Sequence, residues 1–236
     1  MLAEPVKLDE LSTEQLRLHL VRLRKKKIEL VNQEIDRRQT IEAEKAEWLK
    51  CANGAEGCIY FINKYVHIYD SEAKDWIPFK LWEEQEQCVR DILANKEVII
   101  LKARQLGLTW LCLAIALWKV LFQPIQLILL FSLRDIEARE LLSENRFKGM
   151  FKRLPLWMKP ATLTDEKKEF VLANGSSIKA FPTTAGDSYT ATFAIVDEAD
   201  LVPKLNDLLQ SAKPTIDAGG QIVLLSRSNK DRDWET

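Results

Sequence analysis

Glu97–Trp110 reads EVIILKARQLGLTW, and the reading of this stretch decides the fold. Val98–Leu101 is a short apolar run with β-branched residues, which suits a strand buried on both faces. Trp110–Phe122 is almost wholly apolar, rich in leucine and alanine, and too long for an ordinary strand, so it reads as a buried helix. Between them, Lys102–Thr109 forms a connection with a glycine in it. Strand, loop and helix in that order make a natural anion site. The loop N–H groups and the helix N-terminus point at the same spot, and the helix dipole favours negative charge there.

The eight residues K-A-R-Q-L-G-L-T can be laid on the phosphate-loop frame G-x-x-x-x-G-K-[ST]. Gly107 keeps the second glycine, where backbone must approach a phosphate, and Thr109 keeps the hydroxyl that ligates Mg²⁺. Lys102 stands in place of the first glycine, and Leu108 in place of the lysine. The stretch taken by itself also fits a plain strand-to-helix turn. Lys102 and Arg104 both lie in the loop, so a cation is still within reach of the phosphates, from the other end.

Further along, Phe193-Ala194-Ile195-Val196 runs into Asp197-Glu198, an apolar strand ending in two acids. Triphosphate hydrolysis needs such a pair: one carboxylate to hold Mg²⁺, the next to polarise the attacking water. The same pair also suits the N-terminus of a helix. Gln221–Ser226 is another apolar strand, ending Ser226-Arg227-Ser228, where a polar residue can sense a terminal phosphate. Upstream, Phe79, Leu81 and Gln85 precede a helix over Glu86–Ala94. An aromatic face and an amide can read an adenine edge, and they can equally be packing and a cap.

The remaining segments fit an α/β chain. Ser12 and Gln15 have capping-box spacing. Leu16, Leu20 and Leu23, then Ile28, Val31 and Ile35, mark one or two helices within 1–50. The basic run Arg22, Arg24, Lys25, Lys26 and Lys27 is either a solvated helix face or a contact for DNA phosphates. Cys51–Trp76 reads as an aromatic-rich lead-in, with a polar turn over Asp70–Asp75. Ile125–Ser132 is a second buried strand and Asp135–Phe151 an amphipathic helix. Asn174-Gly175 signals a hairpin within Glu169–Phe181. Pro182–Thr192 is a small-residue loop, Pro203–Ala212 a helix and Gly219-Gly220 a turn. The expected fold is therefore α/β with a largely parallel central sheet flanked by helices. Arg104, Asp197, Glu198 and Ser226 would then share the carboxyl edge, where ligands bind.

Composition excludes several classes. A net charge of −1 over 236 residues rules out binding nucleic acid by bulk charge, so any such contact comes from local patches or from a partner. Cys51, Cys58, Cys88 and Cys112 show no C-x-x-C spacing and read as reduced cytosolic thiols without zinc. The two histidines, His19 and His67, form no metal motif. The stretch after Met1-Leu2 is acidic and polar, so no secretory signal is expected there. Lys119 and Pro124 interrupt the longest apolar run before it could span a membrane.

As an ordered set over Tyr60–Asn229, these stretches resemble the ATPase part of the large terminase subunit of tailed bacteriophages. The adenine motif matches Phe79, Leu81 and Gln85. The phosphate loop R-Q-x-G-K-[ST] matches Arg104, Gln105, Gly107 and Thr109, and the Walker B pair matches Asp197 and Glu198. Ser226, Arg227 and Ser228 match the coupling motif. The resemblance implies a RecA-like P-loop NTPase core of the ASCE type over 51–236, behind a helical extension over 1–50. It implies ATP hydrolysis with Mg²⁺ held by Thr109 and Asp197. Phosphates would sit on Lys102, Ala103, Arg104, Gln105, Leu106, Gly107, Leu108 and Thr109. Glu198 would be the catalytic acid, and Phe79 and Gln85 the adenine contacts. The implied partners are double-stranded DNA, the portal protein, the small terminase subunit and sister copies in a ring on the prohead. The implied setting is the host cytoplasm, away from membranes.

The chain departs from that family in three ways. Leu108 replaces the loop lysine, and Lys102 fits the variant in which the lysine is displaced to the start of the loop. The segment 185–192 lacks the arginine many members use across a subunit boundary, leaving Arg134, Arg139 and Arg227 as candidates. The nuclease domain of full-length members is expected to be absent. Two other classes remain. One is a superfamily 2 helicase fragment, suggested by Asp197-Glu198-Ala199-Asp200. The other is a degenerate nucleotide-binding domain, with Leu108 marking lost catalysis.

Overall fold

A computed structural model describes residues 12–103, 106–123, 125–183, 191–202, 205 and 219–227. The chain divides into two compact units, 1–47 and 48–236. Within the first, Thr13–Glu47 belongs to a single 39-residue helix, α1 (Thr13–Cys51). It is capped as its sequence suggests: the Ser12 N–H donates to Gln15 Oε1 at 2.9 Å, and the Gln15 N–H to Ser12 Oγ at 3.3 Å. Leu18, Val21, Leu23, Ile28, Val31 and Ile35 are exposed along it.

The second unit begins in the last turn of α1, where Trp118 Nε1 donates to the Cys51 carbonyl at 2.7 Å. Its elements follow as α2 (Gly54–Tyr65), β1 (His67–Asp70), β2 (Asp75–Pro78), α3 (Glu83–Ala94), β3 (Glu97–Leu101), α4 (Leu108–Phe122) and β4 (Leu127–Ser132). Then come α5 (Asp135–Leu142), α6 (Phe147–Arg153), β5 (Thr162–Asp165), β6 (Glu169–Leu172), β7 (Ser177–Pro182), β8 (Phe193–Val196) and β9 (Gln221–Ser226). The lead-in is thus a helix and a hairpin, β1 pairing with β2 across the expected polar turn. The helix expected over Asp135–Phe151 is two helices, interrupted at Ser143–Arg146. Pro203–Ala212 falls almost wholly outside the described residues.

Seven strands form one sheet in the order β3-β9-β8-β4-β7-β6-β5. The pairs β3–β9, β9–β8, β8–β4 and β4–β7 are parallel, whereas β7–β6 and β6–β5 are antiparallel. The expected hairpin closes at Gly175, which takes φ +84°, a left-handed conformation that glycine adopts without a Cβ penalty. The adjacent Asn174 side chain donates to the Val120 carbonyl at 2.7 Å and ties the hairpin to α4.

The helix α4 is buried almost throughout, as its apolar sequence requires. It lies under the sheet in a core with Phe61, Phe147, Phe170 and Phe193. Strands β4, β8 and β9 are buried on both faces. The strand β3 is not. It ends the sheet, turning Val98 and Ile100 toward the core while Ile99 and Leu101 stay more than half exposed. A continuous apolar run does not say which face is covered, and that is why the sequence reading overstated its burial.

Candidate functional site

Parallel strands bring their carboxyl ends to one edge, and the register fixes which residues meet there. Leu101 pairs with Ser226, and the Lys102 N–H donates to the Ser226 carbonyl at 2.8 Å. The Asp197 N–H donates to the Phe131 carbonyl at 2.9 Å. The ends of β3, β9, β8 and β4 are therefore stitched together. A cleft of about 750 Å³ opens above them, lined in part by Lys102, Gly107, Thr109, Asp197, Glu198 and Arg227.

Lys102 sits at the centre. Its Nζ donates to Thr109 Oγ1 at 2.7 Å and lies 3.1 Å from Asp197 Oδ1, and both charged side chains are only 14% exposed. Thr109 Oγ1 lies 3.4 and 3.3 Å from the two Asp197 carboxylate oxygens. Asp197 Oδ1 also accepts the Glu198 N–H at 3.1 Å. A hydroxyl and a carboxylate facing one shared cation are hard oxygen donors of the kind Mg²⁺ takes. Among the described residues no cluster of three or more His, Cys, Asp or Glu could cage a metal. The pair therefore suits an ion that keeps water and substrate oxygens as its other ligands.

Glu198 has φ +54°, a left-handed backbone unusual for a residue with a Cβ. Its Oε1 accepts from Arg227 Nη2 at 3.0 Å. Arg227 follows β9, the strand between the loop strand and the acidic strand. Its backbone N–H donates to Asp200 Oδ1 at 3.2 Å, and Asp200 is 3% exposed. Ser226 is fully buried, and its hydroxyl donates to the Arg227 carbonyl at 3.2 Å.

Gly107 is the N-cap of α4 with φ +68°. A Cβ there would stand 3.2 Å from Gln85 Nε2 and 4.0 Å from Phe79 Cε2. Phe79 and Gln85 are each 4% exposed and do not line the cleft. The Gln85 amide is used at both ends, donating to the Leu106 carbonyl at 3.0 Å and accepting the Trp82 N–H at 3.2 Å. In this structure the two residues expected to meet adenine lie beneath the loop and brace it. Leu108 lines the cleft and also packs on the core. Arg104, Gln105 and Ser228 lie outside the described residues. Arg139 is paired with Asp135 at 2.7 Å, Arg134 lies 3.9 Å from Glu137, and neither lines the cleft.

Sequence reading missed other residues that line the cleft, among them Tyr69, Trp110, Glu140, Asn145 and Arg146. The Arg146 guanidinium stacks 4.6 Å from the Trp110 ring centroid. Trp110 meets Trp76 edge to face at 6.0 Å, and Arg153 covers Trp76 at 3.7 Å. Trp110 directly follows Thr109, and that adjacency was the available signal. Below the site, burial pushes the Cys58 and Cys112 thiols well above their ordinary pKa. The same burial pulls the Lys119 ammonium down to about 8.

A largely parallel sheet flanked by helices, with a glycine loop, a hydroxyl and an acidic strand end on one edge, is the RecA-like fold. The family model "Terminase large subunit, T4likevirus-type, N-terminal" matches residues 99–233, and the chain belongs to that family. This sets aside the helicase reading. The large terminase of bacteriophage HK97 shares the fold, with a TM-score of 0.61 at 18% identity over 73% of this chain. The large terminase ATPase domain of Thermus phage P74-26 also shares it, with a TM-score of 0.51 at 15% identity. Coverage there is 66% of this chain and 68% of that domain. The chain spans 37% of the HK97 protein.

Proposed function

We propose that this chain is the ATP-hydrolysing motor part of a large terminase, driving double-stranded DNA into a prohead. The observation that carries the reading is the cluster of Lys102, Thr109 and Asp197 at 2.7 and 3.1 Å, beside Glu198, at the carboxyl edge of the sheet. Lys102 neutralises phosphate oxygens in place of the cation that Leu108 lacks, with Arg104 as a second loop cation. Backbone N–H groups of the loop around Ala103, Gln105, Leu106 and Gly107, and the α4 N-terminus, complete the phosphate cradle. Thr109 and Asp197 would hold Mg²⁺, which supplies charge neutralisation at the phosphate oxygens when bound. Glu198 orients the attacking water and accepts its proton. Ser226, Arg227 and Ser228 pass the state of the site along β9.

Work on DNA requires a ring of copies on the portal and delivery of the DNA by the small terminase subunit, in the host cytoplasm and transiently on the prohead. The chain's near-neutral charge leaves local features to meet DNA, and the exposed basic stretch Arg22–Lys27 on α1 is one. The test is steady-state ATP turnover with Mg²⁺ beside Glu198→Gln, with nucleotide affinity measured for both. Turnover in the parent, lost by about 10²-fold or more in the variant while binding persists, is the expected result. Equal turnover in both removes Glu198 from its role. Tight binding with no turnover in the parent, alone or with DNA and portal, supports the degenerate-domain reading.

A further inference from the structure

Phe79 and Gln85, the residues expected to meet adenine, lie beneath the loop and do not line the cleft, so the base of a bound nucleotide needs another seat. We infer that this seat is the aromatic part of the same cleft. There Tyr69 and the Trp110–Arg146 stack offer flat faces, and Asn145 and Glu140 offer polar groups for the base edge and the sugar. This rests on the nucleotide reading above, to which it adds the residues that hold and orient the nucleoside.

The platform is built before any ligand arrives. Trp110 stands next to Thr109 in the first turn of α4, one residue from the cluster of Lys102, Thr109 and Asp197. Its ring carries the Arg146 guanidinium 4.6 Å away, and Trp76 meets both Trp110 and Tyr69 edge to face, each at 6.0 Å. Arg153 covers Trp76 at 3.7 Å, and a Cβ on Gly149 would collide with the Trp76 ring, so a glycine is what lets α6 lie against it. Flat groups held in this way lose little freedom when a planar ligand stacks on them. Arg146 is partly buried, and among the described residues its guanidinium has no hydrogen-bond or ion-pair partner. The same holds for the Glu140 carboxylate and the Asn145 amide, whereas Lys102 is paired with Asp197 and Arg227 with Glu198. The chemistry of this part of the cleft favours a nucleoside over a phosphate. A guanidinium stacked on an indole keeps an outer face for a second flat ring, and bases stack on such planes. Glu140 repels a phosphate but accepts from ribose hydroxyls or an exocyclic amine. The Asn145 amide has both a donor and an acceptor for the edge of a base. A cleft of about 750 Å³ is also of the size that takes a whole small-molecule ligand rather than a phosphate chain alone.

The experiment is calorimetric titration of the intact chain with Mg²⁺ and either ADP or inorganic pyrophosphate, which carries the same two phosphates without the nucleoside. The parent is compared with Tyr69→Ala, Tyr69→Phe, Arg146→Ala and Gln85→Ala. Tyr69→Ala and Arg146→Ala each weaken ADP about tenfold and leave pyrophosphate within about twofold of the parent. Tyr69→Phe keeps the ring face and stays within about twofold for both ligands. Gln85→Ala loosens the loop and weakens both ligands to a similar degree. Loss of ADP with pyrophosphate intact in Gln85→Ala places the base on Gln85 and overturns the inference. Equal weakening of ADP and pyrophosphate in Arg146→Ala overturns it too, by making Arg146 a phosphate contact or a support of the fold. Unchanged ADP affinity in both Tyr69→Ala and Arg146→Ala overturns it outright. If the parent binds neither ligand, the nucleotide reading itself fails, a result distinct from binding in which the nucleoside adds no affinity.

Discussion

Truncating Lys102 to alanine tests whether the loop cation has moved to the other end of the loop. Two charge-assisted contacts are lost, one to Thr109 Oγ1 at 2.7 Å and one to Asp197 Oδ1 at 3.1 Å. Asp197 is not orphaned, because the Glu198 N–H and the Thr109 hydroxyl still face it. The stability loss is therefore modest, about 1–2 kcal/mol, since the remaining donors and incoming water keep the carboxylate solvated. At about 2–4 °C per kcal/mol for a unit of this size, the melting temperature falls by about 2–8 °C. The functional loss is far larger. A preorganised cation facing developing phosphate charge contributes about 10²–10³-fold in turnover. Steady-state ATP hydrolysis and a melting curve on the same preparation separate the two effects. The Lys102→Ala, Leu108→Lys double variant returns a cation to the usual place in the frame and recovers about tenfold of the lost turnover. Turnover within about threefold of the parent in Lys102→Ala refutes the displaced-lysine reasoning. A collapse in melting temperature well beyond that range refutes the expected stability loss.

Lys119→Met probes the core beneath the site. Burial lowers the Lys119 pKa from 10.5 to about 8 in the folded chain, so the unfolded chain holds that proton more tightly. Stability therefore rises with pH between about 8 and 10.5, and below that window the buried charge costs about 3 kcal/mol at most. Lys119→Met is expected to be more stable at pH 7 and to lose that rise, and urea unfolding at pH 7, 8, 9 and 10 checks both; matching pH slopes in the two proteins contradict it. Gly107→Ala forces a Cβ into a left-handed residue at about 1–2 kcal/mol and presses on Gln85 Nε2, 3.2 Å away. A destabilisation of about 2–3 kcal/mol with lost nucleotide binding is expected, the second part coming from the displaced Gln85–Leu106 bond. An unchanged urea midpoint means that the loop is freer than its bracing suggests.

What was legible in the sequence follows from which interactions are local. Val196 and Asp197 mark the end of a strand because four apolar residues stop at two charges, and β8 is buried on both faces as that run demands. The Asn174-Gly175 hairpin was legible because turn chemistry is set by the two residues themselves. The break between α5 and α6 was not, since Ser143–Arg146 contains neither glycine nor proline. Ile99 and Leu101 read as core because apolar residues occur on both faces of β3, and which face is covered depends on tertiary packing, which reaches Val98 and Ile100 and leaves Ile99 and Leu101 exposed. Gln85 was legible as an adenine contact or a helix cap, and the structure has it accept the Trp82 N–H as a cap does and donate to the Leu106 carbonyl of the loop, a long-range bond that no local pattern encodes. The ion pair of Glu198 with Arg227 joins residues brought together by β8–β9 register, which no local pattern encodes.

The same register explains how a phosphate loop can lack its usual lysine. Position 108 opens α4, and its leucine packs on the core beneath the cleft while lining the cleft itself. A lysine there would give up that packing. Position 102 follows β3 directly and is fixed by the Lys102 N–H bond to the Ser226 carbonyl. A cation anchored to a sheet edge is held by the strand rather than by the first turn of a helix. From there its Nζ reaches across the end of β9 to Asp197 and stands between the two oxygens proposed as Mg²⁺ ligands. In the free chain it pairs with Asp197 at 3.1 Å, the carboxylate that would hold Mg²⁺ together with Thr109. Cation and carboxylate are in this way coupled in a manner that a lysine at position 108, on the other side of Thr109, need not be.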